Sequence, residues 1–336
     1  MRILFSSYAF RPSIGGIETV SEILAEEFVA AGHEVELITE TPGDVFGESR
    51  YCINRRPSLK TLIALINSSD LFFQNNISLR SLLPALFLKK RAVVVHQTWI
   101  RDTHGKVGWS ARLKRMLLNR VTNVAISEAL AQDIGGKSVV IPNPYRDELF
   151  RIVPGVVRDK TLVFVGRLVS DKGVDLLLRS LVQLRGENLK PDLTIVGSGP
   201  ELESLTALVS ELKLRDQVSF AGQKTGDDLV QLLNRHRIMV IPSLWAEPFG
   251  VVALEGIACG CAIIGSEAGG LKEAIGPCGL TFENRNEQSL TAALKRLIQD
   301  EELAESFRRA GPQHLERFKA RKIAREYLQL IGAPVH

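Results

Sequence analysis

The chain reads as short, nearly continuous apolar runs separated by stretches whose apolar residues recur three and four positions apart. RILFSS, HEVELIT, DLFFQ, RAVVVH, VTNVAIS and SVVIP are of the first kind; IETVSEILAEEFVAAG, SLRSLLPALFLKK and ARLKRMLLNR are of the second. A run that is apolar throughout suits a strand covered on both faces, and the helical rhythm gives one apolar face. Strand and helix in alternation predict a parallel sheet with helices on both sides. After the proline-bearing IPNPYRDELFRIVPGVV the pattern resumes through TLVFVG, VDLLLRSLVQLR, DLTIVG, ELESLTALVSELK, QVSFAG, DDLVQLLNRH, RIMVIPS, VVALEGIAC and AIIGS. The expected fold class is α/β, with two doubly wound Rossmann-like domains over 1–150 and 155–312 facing each other across a cleft. A hinge is expected near residues 145–158 and a basic amphipathic helix toward the end, within 313–336. Ligands of such sheets sit at the carboxyl ends of the strands.

Composition narrows this further. At 336 residues and 45% hydrophobic, the chain is too long for one ordinary core and long enough for two. The net charge of +4 is small, and no basic run interleaved with aromatics marks a nucleic-acid surface, so nucleic acid is not an expected partner. The charge is unevenly spread: residues 1–49 hold two Lys/Arg against nine Asp/Glu, whereas residues 50–151 hold 17 against six. That basic stretch suits an anionic partner or an acidic membrane surface, and equally suits solvated helix faces. Cys52, Cys259, Cys261 and Cys278 lack paired CxxC spacing, and MRILFSSY shows no secretory-signal pattern; a reducing cytoplasm is expected. Apolar runs such as LLPALFL fall short of the ~18 residues that read as a membrane span, so any membrane contact is expected to be peripheral.

Candidate chemistry gathers in loops at the carboxyl ends of the predicted strands. In FVGRLVSDKGVDLLL a strand ends at Gly166-Arg167 and a helix begins just past Lys172-Gly173. The planar fork of arginine and the point charge of lysine both suit phosphate oxygens, and glycines let a ligand approach the backbone, so a diphosphate is the natural guest. The alternative is a surface ion pair of Arg167 with Asp171, worth roughly 0–1 kcal/mol. IVGSGPEL sets Gly197 and Gly199 where backbone comes close to something flat or anionic, or simply makes a tight turn. EPFGVVALE places Glu247 just before a helix and Glu255 about two turns inside it. The backbone amides of Phe249, Gly250 and Val251 at that expected helix start, which the helix itself does not use, suit phosphate or sugar oxygens. Glu255 lies among Val, Ala, Leu and Ile and needs donors if it is ionised. The vicinal hydroxyls of a ribose would supply them, with Arg167 and Lys172 keeping the acid charged. A structural glutamate is the alternative there, and a structural hydrogen-bonder is the alternative for His96, which ends AVVVH.

Taken as a set, these motifs resemble the family-4 retaining glycosyltransferases of GT-B fold. GGIE, SEAL before VVIPNPY, GRL with DKG, VGSGP, EPFGVVALEGIACG and EAGGLKEAI follow in the family's order over nearly the whole chain. The resemblance implies that residues 1–150 bind the acceptor, 155–312 bind the nucleotide sugar, and 313–336 pack back on the first domain. By the same matching Arg167 and Lys172 hold the donor diphosphate, Glu255 the ribose, and Glu247 with the amides of Phe249 and Gly250 the hydroxyls of the transferred sugar. Gly15 and Gly16 belong to a loop that closes over the diphosphate in that family, and His96 stands beside the donor sugar. Two departures stand out: Pro144 replaces the family's usual glycine in IPNPYRDEL, and Cys261 stands where a lysine or another residue followed by proline is more typical, both thiols of CGCAII being expected as core residues.

The implied reaction is retaining transfer of a hexose, from UDP-glucose first and GDP-mannose second, to a glycan or lipid-linked acceptor in polysaccharide or glycolipid synthesis. Arg167 and Lys172 meet the charge that develops on the departing diphosphate, and no DxD motif lies near the predicted cleft, so no metal and no cofactor is expected. Segment 101–120, RDTHGKVGWSARLKRMLLNR, combines Trp109 and basic residues with Leu113/Leu117 spacing. It fits contact with the inner membrane face or an ordinary packed helix. A nicotinamide enzyme is disfavoured because FSSYAFRPSIGGIE lacks GxGxxG spacing. A non-catalytic sugar-nucleotide-binding protein, or a UDP-sugar 2-epimerase on the same fold, are the remaining alternatives.

Overall fold

The computed structural model describes residues 1–13, 15–43, 50–100, 108–135 and 138–333, and builds two parallel sheets. The first contains β1 (Arg2–Ser7), β2 (Glu34–Thr39), β3 (Cys52–Arg55), β4 (Leu71–Asn75), β5 (Ala92–His96), β6 (Thr122–Ala125) and β7 (Ser138–Val140), in the order β3-β2-β1-β4-β5-β6-β7. The second contains β8 (Lys160–Val165), β9 (Leu193–Val196), β10 (Val218–Gly222), β11 (His236–Ile241), β12 (Ala262–Ser266) and β13 (Gly279–Phe282), in the order β10-β9-β8-β11-β12-β13. Central strands such as β4, β5 and β12 are buried at every position, as sheets covered on both faces require. The strand order reverses between β1 and β4 and again between β8 and β11, which makes those two places the topological switch points where α/β sheets bind ligands.

The chain divides into one compact unit of Met1–Tyr145 with Phe318–His336, and another of Arg146–Arg317. Tyr145 stays with the first because its amide donates to Phe318 O at 3.3 Å and it bridges Lys319. Residues 151–153 belong to the second because Asn234 Nδ2 donates to Arg151 O and Asn234 Oδ1 accepts from Val153 N. The expected single helix over 313–331 is instead two, Glu301–Leu315 and Ala320–Leu330, interrupted around Lys319. In the first unit Ala320–Leu330 packs on helix Gly16–Ala30, and Tyr327 joins Phe28, Phe73 and Phe5 in an aromatic cluster. The second unit's core runs from Leu162 and Phe164 through Leu177, Leu181 and Ile264 to Leu294.

Among the described residues the two sheets have four edge strands, of which β7 and β10 show the predicted run and two escape it. β3 is the sequence CINR with no fully buried residue, and β13 is GLTF, buried only at Phe282. An edge strand has neighbours on one side only, so its sequence need carry little of the apolar run that marks a central strand.

Candidate functional site

At the second switch point the loops after β8, β9, β11 and β12 interlock through their own backbones. Leu168 N donates to Ser198 O at 2.9 Å and Glu201 N to Leu168 O at 3.1 Å, which zips the GRL loop to the VGSGP loop. Leu244 N donates to Asp171 O at 2.8 Å, tying the loop after β11 to the DKG turn, and Gly270 N donates to Glu247 O at 2.8 Å. The glycines follow from these approaches. A Cβ on Gly197 would stand 1.8 Å from Gly166 O, and one on Gly173 would stand 2.1 Å from Pro242 O, and both residues have positive φ. The partner that comes close to Gly173, Gly197 and Gly199 is thus the protein's own backbone, where the sequence alone suggested a ligand.

The structure brings Lys172 and Glu247 together. Lys172 Nζ lies 2.6 Å from Glu247 Oε1, and Ser243 Oγ donates to the same oxygen at 2.7 Å. Arg167 is exposed, and among the described residues its guanidinium makes no ion pair or hydrogen bond; the alternative pairing with Asp171 is not formed. Phe249 is buried, and Gly250 caps helix Val251–Ala258 in the left-handed region, with its own carbonyl taken by Ala253 N. The first-turn amide of Val251 thus stands at a helix start beside Glu247 in sequence, as an anion or hydroxyl site needs.

Glu255, in the second turn of that helix, keeps partial exposure but is surrounded largely by protein. Burial pushes its carboxyl up to about 7, opposed by the charge of Arg146. This corrects the expectation that Arg167 and Lys172 hold the acid ionised: the opposing cation is Arg146, and it does not offset the desolvation. Cys259, Cys261 and Cys278 are buried with thiols pushed up by desolvation, so they are core residues.

In the first unit, Gly15 and Gly16 stand at the start of helix Gly16–Ala30, whose first turn carries Glu18. Ile14 lies outside the described residues. His96 ends β5 fully buried; its Nε2 lies 3.1 Å from Asn123 Oδ1. Asn123 Nδ2 donates to Leu118 O and Val121 O, so its Oδ1 is the acceptor and His96 Nε2 carries the proton. Burial lowers this histidine to about 4, leaving it neutral, and its Nδ1 has no partner among the described residues.

Sequence reasoning missed a chain of buried amides and hydroxyls along the carboxyl edge of the first sheet. Ser7 Oγ lies 2.7 Å from Ser21 Oγ, and Asn75 Nδ2 donates to Ser21 Oγ at 2.7 Å. Gln97 Nε2 donates to Asn75 Oδ1 and to Asn143 Oδ1, both at 2.9 Å, and Asn143 Nδ2 donates back to Gln97 Oε1 at 2.7 Å. The signal was present in a polar residue closing each apolar run: RILFSS, LFFQN, VVVHQ and VVIPN. Asn143 pins the segment that carries Pro144 within its own unit, so the departure at Pro144 leaves that attachment intact.

Of segment 101–120, residues 101–107 lie outside the described residues. Helix Trp109–Leu117 buries Ala111 and Leu117, while Trp109 (78% exposed) and Met116 (71%) face out with Arg112. Arg115 is turned to the protein, donating to Asp133 O at 2.8 Å. Among the described residues no helix is long and apolar enough to cross a membrane.

The family described as "Glycosyl transferases group 1" matches residues 146–314. An uncharacterized glycosyltransferase of Methanocaldococcus jannaschii is 37% identical over 154 residues, 45% of this chain and 39% of that protein. The D-inositol 3-phosphate glycosyltransferase of Corynebacterium jeikeium is 32% identical over 48% of this chain and 40% of its own length. Glycogen synthase of Mycobacterium tuberculosis is 35% identical over 46% and 37%. The matches thus span about two fifths of those relatives. Among solved structures, the Anabaena protein Alr3699/HepE, in complex with UDP and glucose, superposes with TM-score 0.82 at 20% identity over 99% of both chains. A sucrose-phosphate synthase of Thermosynechococcus elongatus does so with TM-score 0.82 at 21% identity over 98% of both. At those identities the likeness is one of fold.

Proposed function

We propose that this chain, which belongs to the group 1 glycosyl transferases and has the two parallel α/β domains of the GT-B fold, moves a hexose from a nucleoside diphosphate sugar to a hydroxyl of a glycan or lipid-linked acceptor. The observation that carries this reading is the Lys172–Glu247 pair at the β8/β11 switch point, with the guanidinium of Arg167, exposed and unpartnered among the described residues, in the loop that follows β8. Two cations with one carboxylate among them match a ligand that is anionic at one end and rich in hydroxyls at the other.

In the reaction proposed, Arg167 and Lys172 stabilise the charge that grows on the departing diphosphate, while Glu247 accepts from a hydroxyl of the sugar. Glu255 accepts from the ribose, and the amides at the start of helix Val251–Ala258 add donors. The new bond forms on the face the nucleotide leaves, with retention, and the acceptor proton passes to the leaving phosphate oxygen. His96, neutral and buried, serves as a hydrogen-bonding group and not as a cation in this scheme. The two cations already supply counter-charge, so we assign no metal. UDP-glucose is the first donor to test, because the Anabaena protein of like fold is known in complex with it; GDP-mannose is the second. The exposed Trp109, Arg112 and Met116 support peripheral contact with an anionic membrane.

The test is incubation with a panel of UDP-, GDP- and ADP-sugars in EDTA, reading thermal stabilisation and nucleotide release. Transfer with retained configuration is the expected result. Stabilisation with no turnover in the presence of glycan and lipid-linked acceptors identifies a binding protein instead, and no stabilisation by any donor overturns the assignment.

A further inference from the structure

The carboxylate of Glu247 is held asymmetrically. Lys172 Nζ and Ser243 Oγ both bond to Oε1, at 2.6 and 2.7 Å, and Oε2 has no partner among the described residues. Ser243 is buried, 1% exposed, just beyond the end of β11. Its carbonyl accepts from Asn284 Nδ2 at 3.1 Å, and the two residues that follow donate their amides to Asp171 O. The main chain of Glu247 is fixed in turn by Gly270 N and a bridge to Gly269.

A lysine alone does not orient a carboxylate. An ammonium is a compact charge on a flexible stem, attracted to either oxygen, and leaves the group free to exchange Oε1 for Oε2. A second, directional bond from a hydroxyl whose own backbone is tied to a neighbouring loop removes that freedom. We propose that Ser243 is a positioning residue: with Lys172 it consumes Oε1 and so presents Oε2 as the acceptor for a hydroxyl of the transferred sugar. The inference rests on the sugar-transfer reading above and assigns its geometry to a residue outside the motif glutamates and cations. Ser243 is dispensable for the loop itself, because Asp171, Gly270 and Asn284 hold the loop through backbone atoms that a Ser243→Ala change leaves in place.

The experiment uses the full chain and whichever sugar nucleotide of the UDP, GDP and ADP panel the wild type turns over, together with the matching nucleoside diphosphate alone. Ser243→Ala is expected to lower kcat by about tenfold or more, since misplacing a reacting group by about 1 Å costs on the order of 100-fold. Its affinity for the nucleoside diphosphate, which lacks the sugar, stays at the wild-type value. Ser243→Thr keeps the hydroxyl and holds kcat above that of Ser243→Ala. The assignment is overturned if Ser243→Ala turns over at the wild-type rate, if nucleoside diphosphate affinity falls in step with kcat, or if Ser243→Thr falls as low as Ser243→Ala. A wild-type chain that turns over no sugar nucleotide refutes the transfer reading, and this assignment with it, whereas wild-type turnover matched by Ser243→Ala refutes the assignment alone.

Discussion

Lys172 Nζ sits 2.6 Å from Glu247 Oε1 and joins the loop after β8 to the loop after β11. Both side chains are partly shielded, at 26% and 14% exposure, so the pair lies between a surface ion pair and a buried one. Lys172→Ala should therefore cost about 1–2 kcal/mol of stability, measured by denaturant unfolding, and abolish donor turnover to below ~1%. Glu247→Gln should leave nucleoside diphosphate affinity within about threefold and cut turnover ~100-fold, since it keeps an acceptor oxygen but loses the charge. Equal losses of nucleotide affinity in both variants would contradict the separate roles.

Among the described residues Arg167 has no partner to lose. Arg167→Ala should leave unfolding free energy within about 0.5 kcal/mol of wild type while weakening nucleoside diphosphate binding roughly tenfold or more, measured by titration calorimetry. A destabilised variant with unchanged nucleotide affinity would place Arg167 in the structure and not in the site.

Glu255 carries a pH signature. Its folded value, pushed up to about 7 from an ordinary 4.5, means that the unfolded chain loses this proton first as pH rises. The stability it contributes is complete below about pH 4.5 and is lost as pH climbs to about 7, on the order of 3 kcal/mol in all. Glu255→Gln should flatten the stability profile over that window and make the ligand-free protein more stable at pH 8. The same variant should weaken donor binding more than it alters the choice of sugar. Thermal unfolding at stepped pH checks the first point, and a wild-type profile as flat as that of the variant would refute it.

His96 behaves in the opposite sense. Lowered to about 4 by burial, it contributes stability that is complete above about pH 6.5 and is lost as pH falls toward 4. Its ring nitrogens, followed by NMR, should show a neutral imidazole protonated on Nε2 at pH 6. An imidazolium at that pH would mean that the ring is not enclosed as found.

On the outward face of helix Trp109–Leu117, an apolar pair flanks a cation. Trp109→Ser with Met116→Ser should reduce sedimentation with anionic phosphatidylglycerol vesicles several-fold and leave the unfolding temperature unchanged, because both side chains are already exposed. Equal sedimentation of variant and wild type would leave this helix as an ordinary solvated one. Arg115 is a poor residue for this test, since it is engaged with Asp133.

Most central strands were legible because a strand buried on both faces must be apolar along its whole length, and RILFSS, AVVVH and AIIGS show this without reference to any neighbour. The edges β3 and β13 were not legible, since a strand with one neighbour needs no such run. Periodicity continues across residue 319, so the sequence predicts one unbroken helix over 313–331; the structure breaks it where Lys319 bridges Tyr145, distant in sequence.

For the candidate site, the sequence by itself determined only which residue types stand where the proposed chemistry would need them: two cations, two glutamates and glycine-bearing loops at strand ends. Only the tertiary structure decided what each one meets. Gly173 and Gly197 admit Pro242 and Gly166 backbone, Lys172 faces Glu247, Ser243 shares its oxygen, and Arg146 is the charge that opposes desolvation of Glu255. Pattern along a chain reports how much of a residue is covered, whereas a partner is set by which strand ends the sheet order brings side by side.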